Sequence, residues 1–349
     1  MNILITGNMG YVGSVLVKHL KANYPDSKII GFDNGYFQTC LTGTKSPPEK
    51  LLDYQYVGDI RKISPNILDG INHIIHLSAI SNDPIGNEFQ EVTSSINYDS
   101  TVNLAKYAKQ KGVESFTLAS SCSVYGNATL EDKTEESSIN PLTVYAKSKV
   151  QSEKKLEELA NKNFKVTCLR FATACGMSDR LRLDLVLNDF VAGAFALNKI
   201  EILSDGSPWR PLINVNDMAK ALEWGVQRKR EDSSDFLVVN AGKNENNIQI
   251  KDLANLVKEK IPNVEVKINK DAEPDKRSYK VDFSLFHSLA DSKYLPQKSL
   301  DETITDIYNG LKKMKFSDKN FRESNLIRLK KIKYLRKQNR LNEKLEWIN

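Results

Sequence analysis

The strongest constraint on this fold is the alternation of short apolar runs with amphipathic helical patterns in the first half of the chain. The apolar runs lie at 3–5, 28–33, 54–57, 73–77, 114–120 and 165–171. Short strands that alternate with helices form a parallel sheet with helices on both faces. We therefore predict an α/β protein, a Rossmann-like, doubly wound parallel sheet with a smaller C-terminal lobe.

The chain has 349 residues, a length that predicts two domains or one large unit with an appended lobe. The regular alternation ends near Gly176, and apolar runs and helical patterns continue less regularly to about Leu311. We expect a Rossmann domain over 1–175, to whose sheet some later segments return. The lobe should occupy most of 176–311, and 312–349 should form a basic, amphipathic helical tail.

The net charge of +6 comes from this tail. Residues 312–349 contain 13 Lys or Arg and 4 Asp or Glu, which leaves 37 basic and 40 acidic residues in 1–311. Apolar residues recur in the tail at near-helical spacing, at Leu326, Leu329, Ile332 and Leu335. A helix packed on its own body or on a sister subunit is favoured over a membrane-surface helix. Nucleic-acid binding ranks lower because no recognised nucleic-acid module accompanies the tail, and we expect no nucleic-acid partner.

Other features exclude several classes of protein. No stretch approaches eighteen apolar residues, and the first residues resemble no signal peptide, so we expect a cytoplasmic protein with no stable membrane insertion. The four cysteines show neither C-x-x-C nor zinc spacing, which favours a reducing compartment. The four histidines are scattered, and we expect no metal site.

A glycine-rich turn joins the first predicted strand to the first helix. Its glycines are Gly7, Gly10 and Gly13, and the last two match the dinucleotide fingerprint G-x-G-x-x-G, whose first position would be Asn8. Phosphate groups bind at helix N-termini where no side chain blocks the backbone N–H groups. The glycines alone also fit an ordinary tight turn between strand and helix.

An acidic residue at the end of the second predicted strand favours the dinucleotide interpretation. Asp33 follows Gly13 by 20 residues, the expected position for a carboxylate that accepts hydrogen bonds from an adenosine ribose. Such a carboxylate repels a 2′-phosphate, so NAD is favoured over NADP. Asp59 ends the third strand, where contact with the adenine and a capping role are both open.

Tyr145 and Lys149 stand four residues apart, a spacing that places both on one face of a helix. A free tyrosine, with a pKa of about 10, is a poor base at neutral pH, and a nearby ammonium favours its phenolate. A surface pair is the alternative for this spacing alone. The preceding strand ends in a serine-rich segment, 120–123, and the carboxyl end of such a strand is where catalytic hydroxyls belong.

With these motifs in this order, the chain resembles the extended short-chain dehydrogenase/reductases, and more narrowly their NAD-dependent nucleotide-sugar epimerase/dehydratase family, from Met1 to about Leu311. The resemblance implies a nucleoside-diphosphate sugar as substrate, a homodimer, and Ser121, Tyr145 and Lys149 as catalytic residues. It implies that NAD is bound by Gly7, Gly10, Tyr11, Val12, Gly13, Asp33, Asn34, Asp59, Ile60, Leu77, Ser78, Ala79, Asn97, Tyr145 and Lys149. It implies that the substrate-binding lobe and its surroundings supply Ser121, Cys122, Ser123, Thr173, Asn188, Arg210 and Arg277.

Departures from the family pattern bear on the reaction. Sugar 4,6-dehydratases place an Asp-Glu pair where this chain has Cys122 and Ser123, which disfavours dehydration. Cys122 fits a buried inert thiol better than a proton-transfer group, and Thr173 replaces an asparagine of the epimerases. We expect an epimerase acting through a transient 4-keto sugar, with a C4 dehydrogenase or ketoreductase as the alternative. A nucleotide-sensing scaffold is the non-enzyme alternative. The segment 180–185 resembles a branch that handles surface-polysaccharide sugars.

Overall fold

The computed structural model describes residues 1–44, 46–126, 131–229, 234–269, 271–272 and 277–348. Its strands are β1 Asn2–Thr6, β2 Lys28–Asp33, β3 Tyr54–Val57, β4 His73–His76, β5 Ser115–Ser121, β6 Lys165–Phe171, β7 Thr173–Cys175, β8 Lys199–Ile202, β9 Trp209–Asn214, β10 Phe236–Ala241, β11 Asn247–Gln249 and β12 Glu265–Ile268. Its helices are α1 Tyr11–Asn23, α2 Asp83–Glu88, α3 Gln90–Ser94, α4 Ser100–Gln110, α5 Val144–Leu159, α6 Val186–Leu197, α7 Val215–Gln227, α8 Ile250–Lys260, α9 Ser284–Leu289, α10 Leu300–Lys313 and α11 Arg328–Lys337.

Seven parallel strands form the main sheet in the order β10-β6-β5-β4-β1-β2-β3. The strand order reverses between β1 and β4, and such a switch point opens a crevice at the carboxyl ends of the strands. The predicted Rossmann-like doubly wound sheet is confirmed. β10 comes from the second half of the chain and completes the edge beside β6, so one later segment does return to the sheet.

The core of the sheet follows from side chains that alternate along each strand. Ile3 and Ile5 of β1 are buried on the face covered by α1 and α7, whereas Leu4 is buried on the face covered by α4 and α5. Because successive side chains of a strand point to opposite faces, a fully apolar β1 supports both layers.

The C-terminal lobe has its own apolar cluster. Leu187 and Val191 of α6 pack there with Leu253 of α8 and Ile304 and Ile307 of α10. A three-stranded sheet, β11-β9-β7, and the pair β12-β8 complete this part. Because β7 follows directly after β6, the lobe is attached at the crevice of the main sheet.

The tail packs on the body of its own chain. Phe321 is buried in the cluster of the lobe, whereas Ile332 and Leu335 of α11, together with Leu345, are buried in the second cluster of the main sheet. The apolar residues predicted to share a helical stripe therefore meet the protein's own core. No helix of the described ranges is long and apolar enough to cross a membrane.

Candidate active site

A cavity of about 970 Å³ lies at the carboxyl ends of the main strands and extends into the lobe. Its volume is in the range of small-molecule sites. Eighteen of the residues predicted from the sequence line it, namely Gly7, Gly10, Tyr11, Val12, Gly13, Asp33, Asn34, Ile60, Leu77, Ser78, Ala79, Ser121, Ser123, Tyr145, Lys149, Thr173, Arg210 and Arg277. Residues spread over 270 positions of sequence thus meet in one place.

The glycine turn is packed so closely that side chains cannot be accommodated at two of its glycines. Gly7 has a φ of 77°, and a Cβ there would lie 2.7 Å from the backbone of Leu77 and Ser78. A Cβ at Gly13 would lie 2.4 Å from the carbonyl oxygen of Gly7. Gly10 caps α1 without any side-chain hydrogen bond, so the positive end of this helix opens at the cavity.

Asp33 ties the end of β2 to this turn. Its carboxylate accepts hydrogen bonds from the N–H groups of Met9, at 3.0 Å, and Gly35, at 2.8 Å. Burial raises the pKa of Asp33, and these two hydrogen bonds oppose the rise. An acceptor at the rim of the glycine turn fits an adenosine ribose, as predicted from the spacing.

Two of the predicted cofactor residues do not line the cavity. The carboxamide of Asn97 accepts from the N–H of Ile80 at 2.8 Å and donates to its carbonyl at 3.0 Å, so it shapes the loop after β4. Asp59 caps a short 3₁₀ helix and binds the guanidinium of Arg61, while its neighbour Ile60 reaches the cavity. The capping role left open for Asp59 is the one that the structure shows.

Ser121, Tyr145 and Lys149 converge on the cavity from β5 and α5. The Nζ atom of Lys149 lies 5.6 Å from the centroid of the Tyr145 ring, as the i, i+4 spacing predicts. Burial raises the pKa of Tyr145 to about 12, and its hydrogen bond with Ser121 works in the opposite direction. Burial lowers the pKa of Lys149 to about 8. In the protein alone, burial therefore outweighs the stabilisation of the phenolate that the sequence led us to expect.

A buried ion pair lies behind these residues. The carboxylate of Glu153, one helical turn after Lys149, accepts hydrogen bonds from Arg170 at 2.8 Å and from Ser120 at 2.5 Å. Glu153 and Arg170 are both buried. The pair joins α5 to β5 and β6 and thereby fixes the helix that carries Tyr145.

Five of the seven predicted substrate residues line the cavity, and the other two lie behind its wall. Arg210 and Arg277 meet at the lobe side of the cavity, where Arg210 donates to the carbonyl of Arg277 and Arg277 binds Asp83 at 2.7 Å. The hydroxyl of Ser123 is enclosed at the wall and has no hydrogen-bond partner in the described part of the protein.

Cys122 and Asn188 were both included among the predicted substrate residues, but neither lies at the cavity wall. For Cys122 this agrees with the buried, inert thiol that the sequence favoured. The Cys122 thiol points into the core, donates to the carbonyl of Arg170 at 3.0 Å, and has a pKa raised by burial. Asn188 is fully buried, where it accepts from the N–H of Gly176 and donates to the carbonyl of Arg182. Both side chains support the wall from behind.

Sequence reasoning missed several charged residues of the cavity. Arg182 and Asp184 form an ion pair at 3.0 Å, and Arg182 also donates to Ser81. Arg328 of the tail is a further lining residue. An ion pair between near neighbours in sequence has no recognisable sequence pattern. The sequence therefore showed only that the segment 180–185 resembles one branch of the family, and not that its charged residues line the cavity. Among the described residues, no group of three or more His, Cys, Asp or Glu could hold a metal ion.

Comparison with known proteins agrees with this geometry. The model of the NAD dependent epimerase/dehydratase family matches residues 3–242, more than half of the chain. The chain belongs to this family of enzymes. Its cofactor is therefore NAD, and the tightly packed glycine turn, the open N-terminus of α1 and Asp33 are the features of this structure that fit it.

Curated relatives show more distant similarity. An uncharacterized UDP-glucose epimerase, YtcB, of Bacillus subtilis is 27% identical, covering 64% of this chain and 71% of that protein. UDP-glucuronic acid decarboxylase 6 of Arabidopsis thaliana is 28% identical, covering 81% of each protein. Among solved structures, the UDP-glucuronic acid 4-epimerase of Bacillus cereus, in complex with UDP-glucuronic acid and NAD, has a TM-score of 0.76 and 22% identity. The match covers 90% of this chain and 100% of the epimerase chain.

Proposed function

We propose that the protein is an NAD-dependent nucleotide-sugar epimerase that acts through a transient 4-keto sugar. The observation that carries this proposal is the convergence of Ser121, Tyr145 and Lys149 on the cavity that also holds the glycine turn and Asp33. A hydroxyl, a phenol and an ammonium at one wall suit removal of a proton from a sugar hydroxyl. Support for a nucleotide sugar comes from the relatives, which include enzymes named for UDP-glucose and UDP-glucuronic acid.

In this mechanism Tyr145 accepts the proton of the C4 hydroxyl while the C4–H bond breaks, and Ser121 holds the oxygen in place. When bound, NAD supplies the hydride acceptor and a positively charged nicotinamide ring. A cation beside Tyr145 favours its phenolate, which offsets the pKa rise that burial causes. The keto sugar then turns its other face to the cofactor, and Tyr145 returns the proton as the hydride is restored. The C4 centre is inverted, and no net oxidation occurs.

The residues at the end of β5 favour this outcome over dehydration. Removal of water needs both an acid and a base, and the two positions after Ser121 carry a buried thiol, Cys122, and a hydroxyl, Ser123. Neither is a carboxyl group. A role in surface-polysaccharide synthesis and a homodimeric state remain predictions of the sequence resemblance alone.

UDP-glucuronic acid decarboxylation is a second candidate, because the Arabidopsis relatives carry that name over 81% of this chain. Oxidation at C4 of a uronic acid creates a β-keto acid, which loses CO₂ readily. The same Ser121, Tyr145 and Lys149 would therefore serve both reactions. The products separate them, since decarboxylation yields a UDP-pentose and CO₂.

The test is incubation of the purified protein with UDP-glucose, UDP-glucuronic acid, and GDP-, dTDP- and CDP-sugars, with products identified by NMR and absorbance followed at 340 nm. We expect an inverted C4 centre in one sugar, tightly bound NAD in the purified protein, and no net absorbance change. Tyr145→Phe should lose turnover and keep its NAD. Stoichiometric NADH release, or CO₂ with a UDP-pentose, would overturn epimerisation.

A further inference from the structure

The C-terminal tail forms part of the wall of the NAD-binding cavity. The tail residues that line it are Ile327, Arg328, Ile332 and Leu345. The loop after β2 lines the same cavity through Asn34, Tyr36 and Phe37. The tail thus meets the cavity next to Asp33, where the adenosine is expected.

The tail is fastened to this loop by specific contacts. The indole of Trp347 donates to the carbonyl of Asn34 at 2.6 Å, and the hydroxyl of Tyr36 donates to the carbonyl of Leu345. The rings of Tyr36 and Trp347 lie 6.0 Å apart. Leu345 has no exposed surface. The tail is therefore a fixed part of the wall.

Arg328 is the charged group that the tail brings to this wall. Only 3% of the surface of Arg328 is exposed. One guanidinium nitrogen, Nη2, donates to the carbonyl of Arg180 at 2.7 Å, and the group stacks 4.6 Å from the centroid of the Phe37 ring. The other nitrogen, Nη1, is enclosed and has no hydrogen-bond partner within the described ranges.

The charges around Arg328 do not neutralise it. Arg180 is paired with Glu49 at 2.6 Å, and Arg182 is paired with Asp184 at 3.0 Å. Three arginines therefore share two carboxylates. Burial lowers the pKa of Arg328 to about 10, and the charges of Arg182 and Arg180 contribute to this fall. A buried cation without an anion is costly, so the site is built for an anionic ligand.

The position of Arg328 indicates which anion this is. The segment that accepts the hydrogen bond from Arg328 is held against the first turn of α1. The Arg180 side chain donates to the Ser14 hydroxyl at 3.1 Å, and the Ser178 hydroxyl donates to the carbonyl of Tyr11, the first residue of α1, at 2.7 Å. Arg328 therefore lies near the N-terminus of α1, where the diphosphate of a dinucleotide binds in this fold. We infer that Arg328 is a binding residue for the diphosphate of NAD, and that the tail completes the cofactor site. This inference rests on the NAD dependence of the family and holds whether or not the enzyme is an epimerase.

The test compares Arg328→Gln with Lys337→Gln, which removes the same charge from an exposed position on the same helix. Calorimetric titration of the nucleotide-free full-length chain with NAD, ADP-ribose and UDP-glucose gives the three affinities. Because Arg328→Gln loses a charged hydrogen bond, we expect its affinity for NAD and for ADP-ribose to fall by about 10- to 100-fold. The affinity of Arg328→Gln for UDP-glucose should equal that of the wild type. Lys337→Gln should bind all three ligands with wild-type affinity.

Two results would overturn the inference. One is an NAD affinity of Arg328→Gln equal to that of Lys337→Gln. The other is a loss confined to UDP-glucose, which would assign Arg328 to the diphosphate of the sugar nucleotide. Hydrogen–deuterium exchange of the wild-type chain covers the case in which Arg328→Gln does not fold. ADP-ribose should slow exchange over 327–337 by about tenfold or more, and unchanged exchange there would equally refute the role.

Discussion

Replacement of Gly13 by alanine sets two effects of opposite sign against each other. Gly13 lies in the first turn of α1, and alanine in a helix is favoured over glycine by about 1 kcal/mol. The new Cβ, however, would lie 2.4 Å from the carbonyl oxygen of Gly7 and 2.5 Å from Cα of Asn8. Both neighbours are backbone atoms, which cannot rotate away as a side chain could.

The packing conflict should outweigh the gain in helix propensity. Ordinary contact begins near 3.4 Å, so α1 or the turn must move by about 1 Å. Forced overpacking costs about 1–3 kcal/mol, and more where the backbone must shift. We expect Gly13→Ala to lower the free energy of unfolding by up to about 2 kcal/mol net and to weaken NAD binding, because the displaced turn is part of the proposed NAD site.

Gly10→Ala is the matched control. Gly10 has a φ of −88°, and a Cβ there would meet only the carbonyl oxygen of Gly7, at 3.1 Å. The unfolding free energy of Gly10→Ala should stay within about 1 kcal/mol of that of the wild type. The new methyl group would nevertheless stand at the cavity wall and weaken NAD binding. Urea unfolding followed by circular dichroism gives the unfolding free energy, and the same measurement with NAD added gives the stabilisation by NAD binding. A Gly13→Ala protein as stable as the wild type, with normal NAD affinity, would refute the packing argument.

Three further predictions concern the network around the proposed catalytic residues. Ser121→Ala should lower kcat by about 10²- to 10⁴-fold with unchanged NAD affinity in steady-state and binding assays, and an unchanged kcat would remove Ser121 from the mechanism. Glu153→Gln leaves the buried Arg170 unpaired and should cost about 3–5 kcal/mol of unfolding free energy, so a loss below about 1 kcal/mol in urea unfolding contradicts it. Burial lowers the pKa of His76 from 6.5 to about 3, so the stability it contributes is present above pH 6.5 and is lost as the pH falls through about 3. His76→Gln should reduce this pH slope of the unfolding free energy by about 1.4 kcal/mol per pH unit, and an equal slope in both proteins speaks against the shift.

The parts of the site that the sequence predicted are those fixed by position on a strand end. Gly7 and Asp33 follow β1 and β2 directly, and Ser121 ends β5, so the parallel order of these strands is enough to bring them together. Tyr145 and Lys149 depend only on the period of one helix. The sequence predicted only that some later segments return to the sheet, and the structure identifies one of them as β10.

The parts that the sequence did not predict depend on tertiary contacts. The apolar stripe of α11 showed which face is buried, but the same stripe fits the lobe, a second subunit or the main sheet. Only the fold shows that Leu345 meets Tyr36 and that Arg328 reaches the cavity. Cys122 was included among the substrate residues with its serine neighbours, although the sequence also favoured a buried, inert thiol, and the structure agrees with the buried thiol.

In the proposed mechanism hydride leaves and returns at the same carbon, and a deuterium label at C4 of the accepted nucleotide sugar follows that hydride through turnover. NMR and mass spectrometry of the product would locate the label after many turnovers in ordinary water. The proposed mechanism predicts that deuterium remains at C4 of the inverted sugar, with no wash-out and no accumulation of NADH. Deuterium found at C6, lost to solvent or retained in released NADH would contradict it.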